Sequence, residues 1–400
     1  PLSSGMTSAP SNGARPLRIA HITKEPLPSS DAATVQIVQT ASALVRAGAE
    51  VDLYFPSTGP IPPGDALRQR LREHYDASCG FGLRPLSASL AALPAARSAL
   101  HALRAGRQAA RGDYDVLHTR DPQNVLLGLA QGMRVVFESY RTPEGRTRAV
   151  QGVLRRCFAH RRFLGQVTHS RFARERYLAA GYPAEKLVTI YNGFDPAAFA
   201  TERTPAEARR LLGLPERLTV GYAGRVAPLK RIDLLLDAAA ATPELSWMIA
   251  GAIESAESQA LVARGRQLPN VRFLGYLAGA ALTPALQAAD LLVIPPSAEP
   301  LERYGMTVLP LKLFPYLAAG RPLVVGEVGD TTELLVHDQT CVRVAPDRLD
   351  EFVAALKRLA EDRGRRERLG GAARELAMGL TWDVRARRLL DWLAERLRAA

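Results

Sequence analysis

The chain has 400 residues, of which 47% are hydrophobic and 23% charged, with a formal net charge of +12 and three cysteines. At about 150 residues per domain this length calls for two domains. No apolar run reaches the roughly 20 residues needed to span a bilayer. Cys79, Cys157 and Cys341 are too far apart for a zinc site or a disulfide framework, and such usage fits a reducing cytoplasm.

Residues 1–15 are rich in Ser, Ala, Gly and Pro and lack the charged-then-apolar order of a signal peptide, so they are expected to be disordered or tag-derived. A short apolar strand at 17–22 follows, then a Pro- and Ser-rich loop at 23–33. The helix expected at 34–47 sets Val35, Val38, Ala41 and Leu44 on one face and stops at Gly48; a strand at 51–55 completes a unit of parallel α/β structure. The Ala- and Arg-rich stretch 65–112 reads as helical. Further strands are expected at 116–118, 135–138, 165–168 and 187–190.

Pro196, Pro205 and Pro215 mark a boundary, after which the pattern restarts. Strands are expected at 218–221, 246–250, 271–274, 291–294 and 322–325, with helices between them and a final helix at 382–397. Two parallel sheets of this kind bind ligands at the carboxyl ends of their strands. Charge divides unevenly: the first 200 residues carry 25 basic and 15 acidic side chains, the rest 27 and 25. Only five of the 52 basic residues are lysines, among them Lys230 and Lys312. In an Arg-biased chain a surviving lysine draws notice as a compact point charge.

Two segments carry chemistry. In Gly221-Tyr-Ala-Gly-Arg225-Val-Ala-Pro-Leu-Lys230 a strand ends in glycines and presents an arginine and a lysine five apart, just before a helix. Glycine admits a close ligand, and a guanidinium fork with an ammonium suits a diphosphate. In the second, residues 298–325, an acidic Gly-containing loop leads through Pro310, Leu311 and Lys312 into a helix that Gly320 stops. Free N–H groups at such a helix start suit phosphate or sugar oxygens.

These segments, with Ile190-Tyr-Asn-Gly-Phe-Asp195 and the string Pro310-Leu-Lys-Leu-Phe-Pro-Tyr-Leu-Ala-Ala-Gly320, resemble the retaining glycosyltransferases of family 4 over roughly residues 16–400. The resemblance implies an α/β GT-B fold: two Rossmann-like domains facing across a cleft, with the C-terminal helix crossing back to the N-terminal domain. Residues 16–199 with 381–400 would bind the acceptor and 200–380 the nucleotide sugar. It implies a metal-independent, front-face transfer from a nucleotide-diphosphate sugar, a UDP-sugar favoured, to a glycan, lipid-linked or small-molecule acceptor. No cofactor is implied beyond that donor substrate.

Carried over residue by residue, the catalytic set is Arg225, Lys230 and Tyr140. The donor set is Gly224, Gly251, Tyr276 near the base, Glu302, Tyr304, Gly305, Met306 and Thr307 near the sugar, and Leu311 and Lys312 near the phosphates. Acceptor candidates are Lys24, Ser30, Asp31, Arg120 and Arg141, on loops that follow strands.

The pattern departs from the family twice. Two glutamates eight positions apart fall here on Thr307 and Pro315, and a Glu-x-His reads Glu138-Ser139-Tyr140, leaving His118 and His169 as candidates for a relocated histidine. A catalytically silent or altered GT-B protein that binds a sugar nucleotide, glycan or partner protein is the alternative. The segment 153–164 alternates apolar and arginine residues at helical spacing, which suits peripheral contact with an anionic membrane at the inner face of the plasma membrane. No nucleic-acid reader motif accompanies the basic charge, so no nucleic-acid partner is expected.

Overall fold

The structure, a computed structural model, describes residues 15–57, 60–87, 94–299, 302 and 309–399. Among these, seven strands form a first sheet: β1 (Arg18–Ile22), β2 (Glu50–Ser57), β3 (Gly82–Ser87), β4 (Val116–Thr119), β5 (Val135–Ser139), β6 (Phe163–Thr168) and β7 (Leu187–Thr189). Six form a second: β8 (Thr219–Ala223), β9 (Ser246–Ala250), β10 (Val271–Gly275), β11 (Leu291–Val293), β12 (Leu323–Gly326) and β13 (Val342–Val344). Their orders are β3-β2-β1-β4-β5-β6-β7 and β10-β9-β8-β11-β12-β13, with every pairing parallel. The central strands are buried along their length because helices cover both faces.

Strand order reverses between β1 and β4 and again between β8 and β11. Connections leave such a switch point in opposite directions and open a crevice beyond the strand ends. The loops after β1, β4 and β8 are those in which the sequence places Lys24, Arg120 and Arg225.

Two strands were not expected. The stretch 65–112 is a helix at Gly64–Tyr75, then β3, then a helix at Pro94–Arg111. β3 contains Gly82 and Pro85 and lies at the sheet edge, where the missing proline N–H costs nothing. β13 has only three residues, too few for a periodicity.

The final helix, Trp382–Arg398, begins where the Thr381 hydroxyl accepts the Val384 N–H. It buries Trp382, Arg385, Ala386, Leu389 and Leu393 at helical spacing and packs against the helix Ala32–Arg46 and β6 of the first sheet. The chain reaches it through a tight crossing, with Phe194 and Trp382 exchanging backbone hydrogen bonds with residues 380 and 194. A Cβ on Gly193 would strike the Thr381 backbone, so this crossing needs glycine.

The basic segment 153–164 is not one amphipathic helix. A helix at Arg148–Ala159 buries Leu154, Cys157 and Phe158 in the first domain's core, while Phe163 and Leu164 belong to β6. Arg155 lies over the Tyr182 ring and donates to the Ala180 carbonyl. The apolar face expected at a membrane is thus spent on the domain's own core. Among the described residues no helix is long and apolar enough to cross a membrane.

Candidate active site in the cleft

The second-domain wall is built from three strand ends. Gly224 N–H donates to the Ala250 carbonyl at 2.8 Å and Gly251 N–H to the Gly275 carbonyl at 2.7 Å. A Cβ on Gly251 would overlap the Gly224 carbonyl, and one on Gly224 would overlap the Lys312 ammonium. Gly224 therefore admits the lysine, and Gly251 admits the Gly224 backbone. Two buried phenols fix the turn: Tyr222 donates to the Arg225 carbonyl at 3.1 Å, and Tyr316 to the Ala223 carbonyl at 3.1 Å. Burial pushes both phenols above their usual pKa, so they serve as neutral donors.

Lys312 Nζ stands 3.7 Å from the centre of the Tyr222 ring. Burial, then repulsion from Lys230, lowers its pKa well below the usual lysine value. Lys230 lines the cleft, where surrounding protein and then Arg225 lower its pKa while Tyr140 of the first domain opposes the shift. Among the described residues no carboxylate pairs with either lysine, and Lys230 repels the charged form of Lys312 with no anion to offset it. A diphosphate would relieve that repulsion. Arg225 is paired: it meets Asp31 of the first domain and, at 3.6 Å, Glu254.

The helix that follows Lys312 runs only from Leu313 to Ala318, so it starts beyond Leu311 and Lys312. The cause is Pro315. Proline has no N–H to give an interior helix bond, but in the first turn that N–H has no intrahelical acceptor. Leu311 accordingly lies in the preceding turn and packs its side chain against the cores of both domains. Leu309 N–H is held by Asp330 at 2.9 Å.

On the first-domain wall, Thr23 to Asp31 follow β1 and Arg120 and Asp121 follow β4. Lys24 pairs with Asp121 at 3.3 Å. A cavity of 390 Å³ opens beside them, walled by Ala102, Leu126, Val150 and Val153, a volume in the range of small-molecule sites. Tyr140 lies between two guanidiniums, Arg120 at 5.5 Å and Arg141 at 5.8 Å from its ring centre. Beneath it, Glu138 is fully buried. Its Oε1 accepts from Gln36 at 2.6 Å, His169 at 2.5 Å and Arg385 at 2.6 Å, and its Oε2 lies 2.8 Å from His118 Nε2. Burial would raise the Glu138 pKa; Arg385 and then the two histidines hold it well below the carboxylate range. Burial also lowers His169 to about 4 despite Glu138.

The structure brings Arg225, Lys230, Lys312, Gly224 and Gly251 together, and sets Tyr140, Arg120 and Arg141 on the facing wall. Other expected positions find different neighbours. Ser30 donates to Glu254 at 2.8 Å and Asp31 holds Arg225, so both link the two domains. Tyr276 stacks on His74 of the first domain at 5.9 Å. His118 and His169 are buried against Glu138 and do not line the cleft. Glu302 is exposed, and Tyr304, Gly305, Met306 and Thr307 lie outside the described residues. Sequence reading missed Glu254, Gln36 and Arg385, which carry no local motif and acquire their meaning from partners more than 80 positions away. Among the described residues no group of His, Cys, Asp and Glu could hold a metal ion.

Residues 217–362 match the family model described as glycosyl transferases group 1, and residues 33–198 the model described as Glycosyltransferase Family 4. The chain is 30% identical over 392 residues to D-inositol 3-phosphate glycosyltransferase of Actinosynnema mirum, covering 89% of this chain and 90% of the relative. With the same enzyme of Kribbella flavida the identity is 28% over 395 residues, covering 89% and 88%. In fold it is similar to sucrose-phosphate synthase from Thermosynechococcus elongatus, with a TM-score of 0.78 at 20% identity over 96% of this chain and 100% of that one. Anabaena HepE in complex with UDP and glucose gives a TM-score of 0.71 at 19% identity over 94% and 99%.

Proposed function

The chain belongs to glycosyltransferase family 4, and from that premise we propose that it moves a sugar from a UDP-sugar to an acceptor hydroxyl with retention at the anomeric carbon. The observation that carries this reading is the convergence of Arg225, Lys230 and Lys312 at the switch point of the second sheet, with the lysines facing each other unpaired.

In this reading the diphosphate lies against the three cations beside Gly224. The bond from the anomeric carbon to the leaving phosphate oxygen breaks as the acceptor oxygen attacks from the same face. The leaving diphosphate takes the acceptor's proton. Charge grows on the diphosphate as the bond breaks, so Arg225 and Lys230 stabilise the transition state more than the bound donor. Tyr140, facing Lys230, lies beside the transferred sugar.

The acceptor approaches from the first-domain wall. Arg120 and Arg141 offer two planar forks beside Tyr140, a donor set suited to an anionic acceptor. The similarity to enzymes named for D-inositol 3-phosphate supports a polyol phosphate in that role.

The test is a release assay with UDP-, GDP-, ADP- and TDP-sugars, with and without D-inositol 3-phosphate, using Arg225→Ala as control. UDP release that the variant loses supports the reading. Release of another nucleoside diphosphate replaces the donor, and no release with any of them overturns the transferase assignment.

A further inference from the structure

We propose that Gln36 and the buried carboxylate of Glu138 are positioning residues, which hold the Arg120 guanidinium against Tyr140 from beneath the acceptor wall. The inference rests on the reading above that Arg120 faces the acceptor.

Gln36 lies on the helix Ala32–Arg46 and is almost fully buried. Its amide nitrogen donates to Glu138 at 2.6 Å and to the Thr40 hydroxyl at 3.1 Å, and its amide oxygen accepts from Arg120 at 3.0 Å. Only this orientation works. Turned over, the amide would set its oxygen against a carboxylate and its nitrogen against a guanidinium. The charge on Glu138 therefore decides which end of Gln36 Arg120 meets. Arg120 makes a second bond, to the Ala33 carbonyl at 3.2 Å, which fixes its plane over Tyr140.

The Glu138 charge is itself held by Arg385 from the final helix and by His169. Asn192 donates toward His169 Nδ1 at 3.4 Å, so that imidazole carries its proton on Nε2 and gives it to Glu138. Stability does not require such a cluster, since buried ion pairs replaced by apolar groups of similar size often leave a protein as stable or more so. A directed relay does require it: Arg385 to Glu138 to Gln36 to Arg120, ending beside Tyr140. The helix that returns from the second domain thereby completes the first domain's half of the site.

Gln36→Leu tests this without removing a charge, so the Glu138–Arg385 pair stays matched. Its crystal structure should show Arg120 displaced from the Tyr140 ring; Arg120 unmoved overturns the relay, whatever the substrates are. With D-inositol 3-phosphate as probe in the presence of UDP, calorimetry should show about tenfold weaker binding in Gln36→Leu, the scale of one hydrogen bond to a charged group. Arg120→Ala should weaken it as much, and the double variant no further, while the Kd for UDP holds within about twofold. Additive losses, or equal weakening of UDP, would mark Gln36 as merely structural and overturn the proposal. A displaced Arg120 together with unchanged binding in Arg120→Ala would instead overturn the acceptor reading on which it rests.

Discussion

Arg225 of the second domain forms an ion pair with Asp31 of the first, so in this structure the guanidinium assigned to the donor diphosphate is held by a carboxylate across the cleft. Both side chains are nearly half exposed, and pairs of that kind contribute about 0.2–1 kcal/mol. Donor binding must displace Asp31 at that small cost. Asp31→Asn should therefore lower the Kd for UDP by up to about fivefold, measured by calorimetry. A weaker UDP affinity in the variant would show that Asp31 supports the site instead of competing for Arg225.

The two lysines give binding a pH dependence with a definite sign. Both pKa values are lowered in the unliganded protein, Lys230 by the surrounding protein and Arg225, Lys312 by burial and Lys230. A diphosphate favours their charged forms and raises both values. UDP binding should then take up protons on the alkaline side, and affinity should fall as pH rises through the lowered values. Calorimetry on the alkaline side in buffers of different ionisation enthalpy reads this directly. A binding heat independent of buffer would mean that neither lysine changes protonation.

In the proposed reading Lys230 lies where charge develops on the leaving group. Lys230→Met should lower kcat by about 10²–10³-fold, the scale of losing one preorganised donor to a transition-state oxyanion, with a smaller change in donor KM. A rise in KM with kcat untouched would show that Lys230 only binds the ground state.

Pro315 occupies a position where the family resemblance leads one to expect a glutamate, and it falls in the first turn of the helix Leu313–Ala318. Glutamate is favourable near a helix N-terminus. Pro315→Glu should fold with a melting temperature within a few degrees of the parent and bind UDP more tightly than UMP-free controls such as inorganic diphosphate predict, because the added carboxylate can receive ribose hydroxyls. Equal changes for UDP and diphosphate would show that the side chain does not reach the ribose.

Stability should fall on mild acidification. His21 is held well below its usual pKa by burial and by His118, and His169 is held at about 4 by burial. In the unfolded chain both titrate near 6.5. Between those limits the unfolded state binds more protons, so stability decreases as pH drops from about 6.5 towards 4. Below that window Glu138, whose pKa is depressed in the fold, adds a further loss as it is protonated. Thermal unfolding followed from about pH 7.5 to 4.5 checks this. A melting temperature that does not change across that range would mean that the histidines are not buried in neutral form.

Much of this protein was legible from local pattern. Apolar runs bounded by glycine and proline mark most of the strands, and the Gly224-Arg225…Lys230 segment and Lys312 single out residues that the fold brings together, because glycine placement and charge spacing are properties of adjacent residues. The short edge strands β3 and β13 escaped, since three residues or a proline-bearing stretch show no period. Tertiary structure alone decided the rest. Lys24, Ser30 and Asp31 look like free acceptor contacts in sequence, yet Asp121, Glu254 and Arg225 engage them in the fold. Glu138 looks like part of a substituted motif, yet Gln36 lies 102 positions from it and Arg385 247. A side chain's type and spacing state which charge it can offer. Which charge answers it depends on two sheets and a returning helix coming together, and no local stretch of sequence contains that information.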